Sequence, residues 1–176
     1  MSKKIFLNSG HGHPDPGAVG RNGTKEAEVA WSVGILVRKY LEAAGYDVML
    51  VQSNALTRDV IQPANRWGAD LFLSIHCNSV ASPQAHGTET FCHPRSTAGA
   101  KLARTVQNQL IGEFKLTDRG VKTSASFGVL NQTNMPACLA ELAFISNPNE
   151  EALLQEAYHD RWARALARGV SDYFAA

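Results

Sequence analysis

Short apolar runs alternate along this chain with longer stretches in which apolar residues recur at helical spacing. The runs predict strands at Lys4–Ser9, Tyr46–Gln52, Leu71–Asn78, Gly87–Cys92, Ser126–Leu130 and Ala137–Ala143. Pro136 stands just ahead of the last of these, where a missing backbone N–H costs no ladder bond. The helical stretches are Thr24–Ala44, Asp59–Gly68, Ser96–Phe114 and Asn149–Phe174. In the first of them Val29, Val33, Leu36, Val37, Tyr40 and Leu41 share one face, Glu26 and Glu28 suit the dipole of the first turn, and Gly45 is placed to end it. Gly10 to Gly23 has no period at all, and such a stretch inside a compact domain usually has a task. Strands that alternate with helices predict an α/β fold: a twisted, mostly parallel sheet of about six strands with helices on both faces, forming one domain over residues 1–176.

Composition narrows the partners rather than the fold. With 176 residues, a formal net charge of +1 and 19% charged residues, the chain offers no electrostatic case for nucleic acid or an acidic membrane surface. A monomer is expected. The three cysteines, Cys77, Cys92 and Cys138, are scattered and form no CxxC pair, so buried thiols are expected rather than a disulfide frame or a thiolate metal site. The apolar run after Lys4 is too short for a signal-peptide core. Phage-type release, or trimming from a longer secreted protein, is therefore expected.

The Leu71–Asn78 run ends in His76, Cys77 and Asn78, and the carboxyl ends of strands are where chemistry collects in such sheets. His11 follows the first strand, Glu26 opens the first helix, and Glu141 interrupts an otherwise apolar run. Two imidazoles and one carboxylate suit Zn²⁺ with one position left open, and a second carboxylate nearby suits proton transfer. His11, Glu26 and His76 supply the first set and Glu141 the second. Each has an ordinary alternative. His11 suits a backbone-bonded loop histidine, Glu26 a dipole-favouring acid, His76 a hydrogen-bonded strand end, and Glu141 a paired buried acid. His86, His93 and His159 read as surface or loop residues, and so does His13, although it lies near enough to His11 to compete with it.

Six strings in order resemble the type-3 family of zinc-dependent N-acetylmuramoyl-L-alanine amidases, which cut bacterial peptidoglycan. They are Gly10-His11-Gly12-His13-Pro14-Asp15-Pro16-Gly17-Ala18, Lys25-Glu26, Gly68-Ala69-Asp70-Leu71-Phe72-Leu73-Ser74-Ile75-His76-Cys77-Asn78, Gly87-Thr88-Glu89-Thr90-Phe91, Arg119-Gly120-Val121-Lys122, and Met135-Pro136 through Asn147. The resemblance implies zinc ligands at His11, Glu26 and His76, a catalytic carboxylate at Glu141, and hydrolysis of the bond between N-acetylmuramic acid and L-alanine in the cell wall. Asn78, Thr88 and Glu89 are expected to line the groove. A peptidase acting within the stem peptide and a wall-binding module without turnover are the rival expectations. The chain departs from the family at Asn8, where Asp is usual, and at His13, where a second Gly is usual. The helix before Ala69 is also short. Only His93–Thr97 links the fourth predicted strand to the next helix, so no insertion is expected to cover the site.

Overall fold

The computed structural model describes residues 2–176. Six strands form one sheet in the order β2-β1-β3-β6-β4-β5, where β1 is Lys4–Ser9, β2 Asp47–Gln52, β3 Leu71–Asn78, β4 Thr88–Cys92, β5 Asp118–Thr123 and β6 Ala137–Phe144. All neighbouring pairs are parallel except β4 with β6. The short polar connection from β3 to β4 lacks the crossover helix that a parallel return needs, and β4 runs back beside β6.

The helices α1 (Glu26–Ala43), α3 (Thr97–Phe114) and α6 (Glu156–Ala175) cover one face. Ile5, Leu7, Leu71, Leu73, Ile75, Cys138, Ala140 and Leu142 point into them and are all fully buried. Each such Leu or Ile contributes about 1.5–3 kcal/mol by leaving water. The other face is packed by smaller pieces: a π-helical turn at Leu56–Ile61, α2 (Gln62–Trp67) and α4 (Gly128–Asn131). Phe6 and Phe72 stack beneath them at 5.6 Å. Because side chains alternate along a strand, the residues between the first set fall on this second face: Phe6 and Asn8, then Phe72, Ser74 and His76, then Ala137, Leu139 and Glu141. The register places His76 beside Glu141 and Glu141 opposite Glu89, so three ionisable side chains stand in one row across three strands.

Three expectations need correction. Ser126–Leu130 is not a strand. Gly128–Asn131 forms a helical turn that buries Val129 and Leu130 against Val60 and Ile61. The sixth strand is instead Asp118–Thr123, a polar segment at the sheet edge. An edge strand has a neighbour on one side only and keeps charges that discourage further pairing, so its apolar signal is weak. The short helix starts earlier than Asp59, through the π turn at Leu56. The closing helix is broken: α5 (Pro148–Glu151) and a 3-10 turn (Ala152–Leu154) precede α6, with Gln155 extended at φ −73° and ψ 159°.

That break serves Glu151. Its fully buried carboxylate accepts hydrogen bonds from the backbone N–H and side-chain amide of Asn22 (2.9 and 3.0 Å), fastening the end of the Gly10–Gly23 loop just before α1. The three cysteines are free and buried, as expected. No helix among the described residues is long and apolar enough to cross a membrane.

Candidate metal centre

β1, β3 and β6 end on the same side of the sheet, and the loop after β1 folds over their tips. His11 enters that space with φ 62°, a left-handed conformation that costs a non-glycine residue about 1–3 kcal/mol and persists only when its surroundings impose it. His76 arrives from β3, and Glu26 arrives from the N-terminus of α1. One nitrogen of each imidazole and one Glu26 oxygen lie within 4.8 Å of one another.

Glu26 bridges the two rings. Its Oε2 is 3.2 Å from His11 Nε2 and its Oε1 is 3.0 Å from His76 Nδ1. Each oxygen also accepts a backbone N–H: Ala18 to Oε2 and Cys77 to Oε1, both at 3.0 Å. Burial pushes the Glu26 carboxyl up, but the hydrogen bonds from His11 and His76 prevail and hold it well below the usual carboxylate range. The Glu26 hydrogen bond, opposed by burial and assisted by Asp15, raises His11 to about 9. The ring N–H protons that face Glu26 occupy the place a cation would take, and a metal would have to displace them.

The space is shaped for these side chains. A Cβ on Gly10 would lie 2.3 Å from His76 Cε1, and one on Gly17, which has φ 65°, would lie 2.6 Å from the His11 ring. Gly10→Ala is therefore expected to displace the His76 ring and destabilise the protein by about 1–3 kcal/mol. Zinc titration together with thermal unfolding checks this; unchanged values of both would show that the ring has room to spare.

Glu141 stands beside His76 on the pocket wall, in a pocket of about 350 Å³ that Leu56, Phe127, Val129 and Leu139 line on the apolar side. Among the described residues, its Oε2 is the buried side-chain oxygen left without a hydrogen-bond partner. Burial above all pushes its carboxyl up to about 7; Glu26 and Glu89 add to this, and His76 and His11 oppose it. A carboxyl poised there accepts and returns a proton with little cost.

The groove expectations divide. Asn78 lines the pocket, with its amide donating to Glu89 Oε1 at 2.6 Å. Glu89 is buried beneath Arg119 (2.7 Å) and Lys122 (3.0 Å), two residues of the edge strand. Burial pushes its carboxyl up, but these two cations hold it below the usual range. Thr88 does not line the groove. It is fully buried and donates to the Leu142 carbonyl at 2.7 Å, because its position in β4 turns it to the long-helix face. His13 is exposed and lies outside the cluster, so it does not compete with His11.

Two residues of the site escaped the sequence reading. Asp15 Oδ2 is 2.7 Å from His11 Nδ1, while its Oδ1 accepts the Gly17 N–H at 2.9 Å. Ser74 Oγ is 3.0 Å from His76 Nε2. The second had a usable signal: Ser74 lies two residues before His76 on a strand, hence on the same face. The first is a matter of loop shape, which leaves no period.

The donor set, the close glycines and the partnerless Glu141 oxygen all fit a site for a divalent metal. A family model described as N-acetylmuramoyl-L-alanine amidase matches residues 5–172. The chain is 36% identical over 180 residues to N-acetylmuramoyl-L-alanine amidase LytC of Bacillus subtilis (strain 168), a match that covers 99% of this chain and 36% of that protein, so the chain spans about a third of that relative's length. Among solved structures it is similar to N-acetylmuramoyl-L-alanine amidase AmiC2 of Nostoc punctiforme, with TM-score 0.89, 28% identity and coverage of 99% and 98% of the two chains. It is similar also to the catalytic domain of CwlV, an amidase from Bacillus (Paenibacillus) polymyxa var. colistinus, with TM-score 0.89, 30% identity and coverage of 98% of each chain.

Proposed function

We propose that this chain, which belongs to the N-acetylmuramoyl-L-alanine amidase family, acts on the bacterial cell wall as one catalytic domain and hydrolyses the amide between N-acetylmuramic acid and L-alanine of peptidoglycan, with Zn²⁺ held by His11, Glu26 and His76. The observation that carries this reading is the convergence of those three side chains beside Glu141, whose buried oxygen has no partner.

Bound there, zinc would act as a Lewis acid on the carbonyl and bring the pKa of water to about 7. The protein's own groups do the rest. Glu26 and the two histidines keep the donor atoms converged, and the backbone N–H groups of Ala18 and Cys77 fix the carboxylate. Glu141 takes a proton from the attacking water and delivers it to the alanine nitrogen, which leaves as a free amine when the C–N bond breaks. Leu56, Phe127, Val129 and Leu139 form an apolar wall suited to the methyl groups that flank this bond on the lactyl and alanyl sides.

Mass spectrometry of purified walls digested with and without a chelator tests the bond. The expected products are stem peptides with a free N-terminal alanine and glycan strands left intact, formed only without chelator. Stem peptides cut internally would instead identify a peptidase, and walls left whole would indicate a module without turnover.

A further inference from the structure

We propose that Asn8 and Ser74 are positioning residues that set the proton on Nε2 of His76 and so keep its Nδ1 lone pair available to the metal; this rests on the metal-centre reading above. Asn8 and Ser74 are direct neighbours across β1 and β3, both fully buried on the face that carries His76. The orientation of the Asn8 amide follows from its surroundings. Its Nδ2 faces two backbone carbonyls, Ser9 O at 3.1 Å and Val51 O at 3.5 Å, and carbonyls only accept. The Asn8 Oδ1 must therefore point the other way, where Ser74 Oγ lies at 2.7 Å.

An amide oxygen only accepts, so the single hydroxyl proton of Ser74 is spent on Asn8. Ser74 then has only lone pairs left for His76 Nε2 at 3.0 Å, and that nitrogen must carry a proton. The proton on Nδ1, which His76 gives to Glu26 at 3.0 Å, is then the one a metal displaces, and Nδ1 rather than Nε2 is the nitrogen left free for it. The direction of this chain of bonds begins at two carbonyls of the sheet's own backbone and ends at the ring. His11 reaches the same result from the opposite nitrogen: Asp15 takes its Nδ1 and leaves Nε2 toward Glu26. Both rings thus meet the site with a nitrogen whose partner on the far side is fixed, one by a carboxylate and the other by a hydroxyl tied to an amide.

The test reads zinc binding and the tautomer rather than turnover. In the zinc-loaded protein, nitrogen-15 NMR of labelled histidine is expected to show His76 with a protonated Nε2 and an unprotonated Nδ1; an unprotonated Nε2 overturns the proposal without any variant. In competition with a chromophoric chelator, Ser74→Ala is expected to weaken zinc binding about 10–100-fold. Asn8→Leu, at a position that makes no hydrogen bond to His76, frees the Ser74 proton to turn toward Nε2 and is expected to weaken it to a similar degree. Ser74→Thr, which retains the hydroxyl, should bind within a few-fold of the wild type. Circular dichroism of the metal-free variants confirms that the sheet is intact. Wild-type zinc binding with unchanged affinity in both Ser74→Ala and Asn8→Leu overturns the relay alone; a wild-type protein that binds no zinc overturns the metal-centre reading and the relay with it.

Discussion

Glu141→Gln should keep the fold and the zinc content and lower hydrolysis of purified walls by about 10²–10⁴-fold, the usual worth of a positioned proton carrier. The substitution is nearly isosteric and removes only the ability to hold a proton and pass it on. It should be gentle on stability, because Glu141 is a poorly satisfied group: its Oε2 has no hydrogen-bond partner, and burial pushes its carboxyl up to about 7. A side chain kept for structure would have had its oxygen satisfied, as those of Glu151 are. The amide should therefore be neutral or slightly stabilising in thermal unfolding. Turbidity loss of a wall suspension gives the rate, and elemental analysis gives the metal content. Activity retained within a few-fold would remove Glu141 from the reaction.

His76→Ala, or removal of metal from the wild type, should abolish wall hydrolysis, with zinc affinity falling by well over 10²-fold in the variant, since loss of an outer partner alone costs about 10–100-fold. Metal removal also has a signature in stability. In the metal-free protein Glu26 is held below its ordinary 4.5, so its contribution is present above that pH and is lost as pH falls through the folded value. His11 is raised from 6.5 to about 9, so its contribution is complete below pH 6.5 and is lost as pH rises to about 9. The melting temperature of the metal-free protein should therefore decline between pH 6.5 and about 9. The zinc-loaded protein should decline less, because its histidines have already given up the protons in question. Calorimetry across that range decides the matter: a flat metal-free profile would show that His11 and Glu26 are not bonded as described.

The neighbours of Asn8 give it a job of its own. It sits in a buried row with Ser74, and its amide bridges β1 to the carbonyl of Val51 in β2. An amide both donates to those carbonyls and accepts from Ser74, which a carboxylate facing the same carbonyls does not do without cost.

The central strands, the long helices and two polar strand residues, His76 and Glu141, were legible because their signals are local, whereas His11 and Glu26 each had an ordinary local reading and stood out only through the resemblance. A strand buried on both faces is apolar over its whole length, so His76 and Glu141 stand out in β3 and β6 as polar residues that burial alone does not explain. A helix that covers a sheet repeats its apolar face every turn, and α1 and α3 were read to within a residue or two. The edge strand was missed for the converse reason. Asp118–Thr123 is held by its ladder to β4 and by Arg119 and Lys122 on Glu89, none of which leaves a period in the sequence. Ser126–Leu130 has the apolar content of a strand, yet it buries that content as a turn against the π-helical segment.

The sequence by itself determined which segments are apolar, how they repeat, and that His76 and Glu141 interrupt apolar runs, since these depend only on neighbours along the chain. Tertiary structure alone decided which nitrogen of each histidine faces Glu26, that Asp15 and Ser74 stand behind those rings, that Thr88 turns inward, and that Glu89, Glu141 and His76 form one row. Those facts depend on strand register and on a loop forced into a left-handed turn at His11, and both are set by contacts between residues far apart in the chain.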